Sequence, residues 1–216
     1  STASPSRWRP PAPDNVNVTT LGAIAVGAIV LGLSLLGARH PTIHPTEQRV
    51  FRAVNGLPDW CYWPLWLPMQ LGNLVVGTAA GLLLALFWGD VRLAVGVLAA
   101  AALKLLAERL IRRWMAPYLA VRQRPGTSEP GATLRGDDVP SSGMSFPSGH
   151  IVLVAAITAV IADDLAIAWL GLPALLTLAV MVGRVYVGAH NPLDVTAGLG
   201  AGLLAGGLVG LALNLS

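Results

Sequence analysis

The chain has 216 residues, of which 54% are hydrophobic and 12% are charged, and its formal net charge is +3. A mean hydropathy of +0.64 excludes an ordinary soluble domain, and the apolar runs approach the length that crosses a bilayer. Because these runs do not alternate with the period of a strand, the sequence predicts an all-α, polytopic membrane protein.

The N-terminal part consists of a polar segment and the first apolar run. Residues 1–18 are rich in proline, serine and asparagine and are predicted to form a disordered lead. The run at residues 19–38 is longer than a signal-peptide core and has no clear cleavage site, so it is predicted to be a membrane helix. Residues 19–216 are then predicted to be one membrane domain of six helices. The chain starts without methionine and stops in an apolar run, which leaves open further domains beyond its ends. A homo-oligomer is a separate possibility that the sequence also leaves open.

A polar stretch and a group of tryptophans separate the first two predicted spans. Residues 39–59 are predicted to form an interfacial loop, with a short amphipathic helix at residues 48–54. Indole rings prefer the headgroup level of a bilayer, so the tryptophans that follow indicate a membrane interface. They are Trp60, Trp63 and Trp66. The second helix is predicted at residues 67–88.

The third predicted helix, residues 93–114, carries charges inside an apolar run. Lys104, Glu108 and Arg112 follow one another at four-residue intervals and therefore share one helix face. The loop after it, residues 116–147, is rich in proline, glycine and serine. A loop of this length is commonly functional or disordered.

Three further apolar runs complete the predicted architecture. They are residues 149–162, 165–182 and 193–213, the last preceded by Pro192, which suits a first helical turn. Six spans place the ends of helices three and five, and the starts of helices four and six, on the same side of the membrane. Polar residues at these junctions would therefore lie together at one membrane face.

The basic residues are concentrated in one region of the chain. They are Lys104, Arg109, Arg112, Arg113, Arg122, Arg124 and Arg135. Such a cluster binds nucleic acid, anionic lipid headgroups or a phosphorylated substrate, and the flanking membrane segments argue against nucleic acid. If these residues bind substrate, the distribution of lysine and arginine does not decide the orientation in the membrane. Cys61 is the only cysteine, so no disulfide forms within the chain.

Two short motifs combine histidines with other polar residues at the ends of apolar runs. Pro-Ser-Gly-His ends at His150, and Arg184 is followed by His190 and Asp194 after five and three intervening residues. Polar groups at membrane depth are usually functional. Two histidines, an aspartate and several arginines at one membrane face indicate a cavity suited to phosphate.

This pattern resembles the type 2 phosphatidic acid phosphatase family, which includes membrane lipid phosphatases and vanadium haloperoxidases. The family has three motifs: Lys, six residues, Arg-Pro; Pro-Ser-Gly-His; and Ser-Arg, five residues, His, three residues, Asp. The resemblance covers about the second half of the chain in motifs and nearly all of it in helix count. It implies that His190 attacks phosphorus and becomes phosphohistidine, and that Asp194 orients its ring. His150 would protonate the leaving oxygen and then deprotonate water.

The resemblance also implies a set of groups that bind the phosphate. Arg124 and Arg184 would hold phosphate oxygens, and Ser148 and the Gly149 amide would add neutral donors at a helix start. With these groups present, neither a metal nor another cofactor is expected.

The first and third motifs depart from the family pattern. Pro117 occupies the position of the family's lysine, and Gly183 occupies that of the serine before Arg184. Lys104, the only lysine, is the first choice as a substitute, although Glu108 would equally neutralise it inside the bilayer. The alternatives are Arg112, Arg113 and Arg122.

Other polar residues have simpler interpretations. Arg109, Arg112 and Arg113 are expected to anchor the helix at lipid headgroups. His40 and His44 fit an exposed interfacial loop, and the aspartates at 137 and 138 either solvate a loop or select the headgroup. Glycines at four-residue spacing in the last helix indicate close helix packing. These are Gly198, Gly202 and Gly206.

The sequence therefore predicts a multi-pass cell-membrane phosphatase that removes a terminal phosphate from a lipid phosphate or diphosphate. The candidates are polyprenyl and phosphatidyl compounds of the cell envelope, and the family implies an extracytoplasmic active site. The alternative is a non-catalytic membrane module that binds a lipid phosphate or a partner. It would not need a nucleophile, an acid and an orienting carboxylate together. A transporter fits less well, because the polar residues gather at one face.

Overall fold

The structure, a computed structural model, describes residues 16–118, 122–137, 139–162, 164–165 and 167–214. Within these ranges the regular elements are α-helices and short 3-10 turns. The α-helices are α1 (Val16–Ala38), α2 (Pro45–Asn55), α3 (Tyr62–Met69), α4 (Leu74–Trp88), α5 (Val91–Met115), α6 (Pro125–Ser128), α7 (Gly149–Ala162), α8 (Gly171–Tyr186) and α9 (Pro192–Asn214). An isolated antiparallel bridge joins Gln123 to Met144 in the long loop.

Most of the predicted helices are found close to their expected bounds. The helix α1 begins at Val16, and residues 1–15 of the predicted lead lie outside the described ranges. The predicted interfacial helix is α2, which buries Phe51 and Asn55. Within the described ranges, two helices are long and apolar enough to cross a membrane, or three if a bent pair counts as one span. These helices support the prediction of a membrane protein, whereas the count of six membrane spans stays a prediction.

The prediction of one continuous second helix at residues 67–88 is wrong. The segment Asp59–Gly72 and the helix α4 meet at a bend of 76°. Pro68 lies inside α3, where it lacks the N–H of a helical hydrogen bond. The Asn73 side chain then accepts the N–H groups of Val75 and Val76, at 3.0 and 3.3 Å. An N-cap of this kind starts a new helix.

The fifth predicted span, residues 165–182, is displaced along the chain. The helix α8 begins at Gly171, with Pro173 in its first turn, and ends at Tyr186. Gly188 follows in the left-handed region at φ +77°. Arg184 consequently lies in the last turn of a helix, and not in the loop beyond it.

The glycine stripe of α9 packs directly against the backbone of α7. A Cβ atom at Gly198 would lie 2.6 Å from the Ser148 carbonyl oxygen, and one at Gly202 would lie 2.5 Å from that of Val152. Gly206 faces the Ala156 carbonyl in the same way. The predicted role of these glycines in helix packing is confirmed. The contact fixes the start of α7 against the start of α9.

We expect Gly202→Ala to destabilise the fold, whereas Gly32→Ala should not. The added methyl group at 202 would meet Val152 and Ala155, while nothing lies within 4 Å of a Cβ at Gly32. Overpacking costs about 1–3 kcal/mol, and both variants gain similar helix propensity. Thermal unfolding in detergent should show a Tm several degrees lower for Gly202→Ala alone. Equal Tm values for the two variants would contradict the close packing.

Candidate active site

The loop between α8 and α9 places His190 beside Arg184. The N–H groups of Ala189 and His190 both donate to the Arg184 carbonyl, at 3.1 and 3.3 Å. A Cβ at Gly188 would lie 2.7 Å from the Thr133 carbonyl oxygen, so the turn fits closely under the long loop. His190 is 3% exposed and Arg184 is 6% exposed. The backbone therefore holds two of the predicted site residues at a fixed separation in a buried position.

Asp194 lies in the first turn of α9 and faces the His190 ring. Its Oδ2 accepts the Asn191 N–H at 2.8 Å and lies 3.8 Å from His190 Nδ1. This distance is longer than a hydrogen bond, and in the described part of the chain His190 Nδ1 and Asp194 Oδ1 have no hydrogen-bond partner. Catalytic hydrogen bonds often tighten when substrate binds. A small ring movement would make Asp194 the partner of Nδ1.

Burial keeps the His190 imidazole neutral. It lowers the pKa of His190 to about 4, against the opposing effect of the Asp194 carboxylate. The charges of Arg184 and Arg124 act in the same direction as burial. At neutral pH the ring therefore has a free lone pair, as a nucleophile requires.

The second histidine is brought to the same region by the start of α7. The Ser148 N–H donates to the Asp194 carbonyl at 3.0 Å, which ties this segment to α9. The Ser148 hydroxyl is buried and has no hydrogen-bond partner among the described residues. His150 interacts electrostatically with His190 and Arg184. The segments that carry the two motifs thus lie together in the structure.

Arg124 reaches this site from the long loop. Its Nη1 donates to the Ala189 carbonyl at 2.9 Å, next to His190. The positive charge of Arg124 interacts with both His150 and His190, and the Asp194 carboxylate interacts with Arg124. The two predicted arginines, Arg124 and Arg184, therefore lie near both imidazoles.

Lys104 lies at the edge of the site in an ion pair. Its Nζ is 3.3 Å from Glu108 Oε2, and both side chains are mostly buried. A Cβ at Gly149 would overlap Glu108 Oε1 and lie 3.2 Å from Lys104 Cε. The ion pair with Glu108 that the sequence offers as one interpretation is present, and Lys104 also lies near the α7 start. Its role in phosphate binding stays a prediction.

Glu47 is a residue of the site region that the sequence analysis missed. Its carboxylate accepts two hydrogen bonds from Arg122, at 2.7 and 3.0 Å, and the Leu193 N–H at 2.9 Å. One acidic residue of α2 thus joins the loop that carries Arg124 to the helix that carries Asp194. Arg122 is buried in this pair, so it does not substitute for the missing lysine.

A second group of contacts holds the long loop against the end of α8. The Asn55 side chain donates to the Thr133 and Tyr186 carbonyls, both at 2.8 Å. Arg135 donates to the Asn55 and Tyr186 carbonyls, at 2.8 and 3.1 Å. Arg135 therefore stabilises the loop, and its nearest carboxylate is the exposed Asp59.

The remaining polar residues of the sequence analysis lie away from this centre. Arg109 and Arg113 are exposed on α5, as expected of headgroup anchors, and so are His40 and His44. Asp137 is exposed, and residue 138 lies outside the described ranges. Among the described residues, histidine, cysteine and acidic side chains form no group of three suited to a metal ion.

We expect Glu47→Ala to cost far more stability than Asp59→Ala. Removing Glu47 leaves Arg122 buried without a counter-ion, which costs about 3–5 kcal/mol. Asp59 is 93% exposed, and an exposed pair contributes at most about 1 kcal/mol. Thermal unfolding of both variants measures the difference. Similar losses would mean that the Glu47 contacts do not stabilise the site.

Comparisons with known proteins agree with this fold. The model of the PAP2 superfamily matches residues 91–214. Among solved structures, the crystal structure of the first transmembrane PAP2-type phosphatidylglycerolphosphate phosphatase from Bacillus subtilis matches with a TM-score of 0.64. The sequence identity is 19%, and the match covers 92% of this chain and 98% of that chain. None of the curated proteins matches the sequence.

Proposed function

Because the chain belongs to the PAP2 superfamily, we propose that it is an integral membrane phosphatase acting on a lipid phosphate or diphosphate. The observation that supports this most is the arrangement of buried His190, Asp194 and Arg184 with half-buried Arg124 beside His150. A neutral imidazole, an orienting carboxylate and two guanidinium groups together suit phosphoryl transfer. The protein of the similar solved structure is a phosphatidylglycerolphosphate phosphatase, and for this chain both phosphatidyl and polyprenyl substrates are proposed.

The proposed first step is transfer of the phosphoryl group to His190. Nε2 attacks phosphorus in line, the bond to the leaving oxygen breaks, and His150 gives that oxygen a proton. Asp194 holds the proton on Nδ1 and stabilises the positive charge that develops on the ring. The products of this step are phosphohistidine and the dephosphorylated lipid, or the lipid monophosphate if the substrate is a diphosphate.

The proposed second step is hydrolysis of the phosphohistidine. His150, now neutral, takes a proton from a water molecule as that water attacks phosphorus. The bond between phosphorus and nitrogen breaks, and His190 is restored as inorganic phosphate leaves.

The proposed phosphate site consists of two cations and two neutral donors. Arg124 and Arg184 are suited to bind non-bridging oxygens through their paired N–H groups. The buried Ser148 hydroxyl and the Gly149 amide at the start of α7 would add hydrogen bonds. Lys104 is proposed as a further cation at the edge of this group. These residues supply the charge stabilisation for which other phosphatases use metal ions, so we propose metal-independent chemistry.

The alternative proposal is a membrane module that binds lipid phosphate without turnover. The Lys104 ion pair with Glu108, together with Pro117 and Gly183 at two motif positions, favours it. The buried nucleophile and its carboxylate favour the enzyme. In either case we propose a multi-pass position in the cell membrane with the site on the extracytoplasmic face.

The experiment that tests the enzyme is phosphate release from a panel of lipids by the purified full chain in mixed micelles. The panel contains phosphatidic acid, phosphatidylglycerol phosphate and a polyprenyl diphosphate, with protein-free micelles as the control. Release from at least one lipid supports the phosphatase. Tight binding of a panel lipid without release supports the module and overturns the phosphatase.

A further inference from the structure

The polar face of α5 contacts the start of α7 at Lys104 and Glu108. Glu108 touches the backbone position of Gly149, and Arg112 lies one turn further along the same face. The flanking residues Ile111 and Met115 are buried in a cluster with Phe146 and Ala197. These contacts place the end of α5 beside the segment that precedes Ser148 and beside the start of α9.

Arg112 differs from the arginines next to it on α5. Arg109 and Arg113 are exposed, whereas Arg112 is half-buried. Its Nε is fully buried and has no hydrogen-bond partner among the described residues. A buried donor without an acceptor costs folding free energy, and more if it is charged. An anion that accepts this hydrogen bond would remove that cost.

Arg112 interacts electrostatically with Arg124. Burial lowers the pKa of Arg124, the positive charge of Arg112 lowers it further, and the Asp194 carboxylate has the opposite effect. Lys104 has its own counter-ion in Glu108, at 3.3 Å. No described acidic side chain forms an ion pair with Arg112 or Arg124 within 4 Å. Two guanidinium groups that repel each other in this way are suited to bind a phosphate dianion between them.

We infer that Arg112 binds the phosphate group of the substrate opposite Arg124 and supplies the cation that Pro117 cannot. The inference rests on the proposed function, because it assigns a further residue to the same phosphate site. It follows from the buried Nε of Arg112, from the packing of its neighbours Ile111 and Met115 in one cluster with Phe146, and from the pairing of Lys104 with Glu108. Helix α5, and not the loop before Arg124, provides this cation.

The test compares Arg112→Ala with Arg113→Ala, the exposed arginine next to it. A charge-assisted hydrogen bond contributes about 1.5–3 kcal/mol, so Arg112→Ala should raise the inhibition constant of orthovanadate by about 10-fold to 150-fold. Arg112→Lys should restore part of the affinity, and Arg113→Ala should stay within about twofold of the wild type. Equal constants for Arg112→Ala and the wild type would overturn the inference. So would a larger loss in Lys104→Ala than in Arg112→Ala.

A binding experiment separates this inference from the proposed function. Inorganic phosphate or orthovanadate should raise the Tm of the His190→Ala protein, because binding stabilises the folded state. The shift should disappear when Arg112→Ala is added and persist when Arg113→Ala is added. This result would support the anion contact even if the wild type released no phosphate. Equal shifts in both double variants would overturn the contact, with or without turnover.

Discussion

The variant His190→Ala is expected to release phosphate no faster than protein-free micelles. Loss of the nucleophile removes the covalent step, and loss of the nucleophile of a serine protease, which also forms a covalent intermediate, lowers kcat by about a millionfold. The matched control is His40→Ala, which removes an exposed imidazole that is hydrogen-bonded to Thr42. The measurement is the initial rate of phosphate release from the best lipid of the panel. The control should retain the wild-type rate.

Covalent labelling makes the same prediction more specific. Brief reaction with a lipid labelled in its terminal phosphate should transfer the label to the wild-type protein as an acid-labile, alkali-stable phosphoramidate. The His190→Ala protein should take up none. Label on His190→Ala, or turnover at more than a small fraction of the wild-type rate, would assign the nucleophile to another residue.

The variant His150→Ala is expected to distinguish substrates by their leaving groups. With a lipid phosphate, the leaving alkoxide needs a proton, and loss of the general acid should lower the rate by about 100-fold to 10,000-fold. With nitrophenyl phosphate, the leaving phenolate needs no proton, so His190 should still be phosphorylated. Hydrolysis of the phosphohistidine should remain slow, because the same imidazole activates the water. We therefore expect a burst of about one equivalent of nitrophenolate followed by slow turnover.

Rapid-mixing measurements of nitrophenolate test this prediction. The wild type should show steady turnover, and His150→Ala should show the burst. Equal losses of rate with both substrates, without a burst, would mean that His150 serves only to shape the site. Comparison with Gly32→Ala, which lies outside the site, controls for general effects of substitution.

The sequence alone determined the features that depend on local pattern. Apolar runs predicted α1, α5, α7 and α9 within a few residues, because burial or lipid exposure of a helix needs a continuous apolar stretch. The four-residue spacing of Gly198, Gly202 and Gly206 predicted a close helix contact, since residues at that spacing share a face. The order and spacing of the motifs that end in His150 and Asp194 predicted the family, which the match to residues 91–214 confirms.

Other features depended on residues that are distant in the chain. The bend before α4 combines Pro68 with the cap at Asn73, and an apolar run of that length is compatible with both a straight and a broken helix. The displacement of α8 put Arg184 inside a helix, because the capping turn at Gly188 packs under Thr133. Hydropathy determines neither the bend before α4 nor the position of α8 along the chain.

The partners of the charged residues were decided only by the tertiary structure. Glu47 and Arg122 are 75 positions apart, and an acidic residue in the first turn of an amphipathic helix looks like any solvated one. The sequence could not say whether Lys104 or Arg112 supplies a cation, since both lie on the same face of α5. In the structure Lys104 pairs with Glu108 and lies against Gly149, whereas the Arg112 Nε is buried without a hydrogen-bond partner among the described residues. These contacts depend on which helices meet and not on the spacing within one of them.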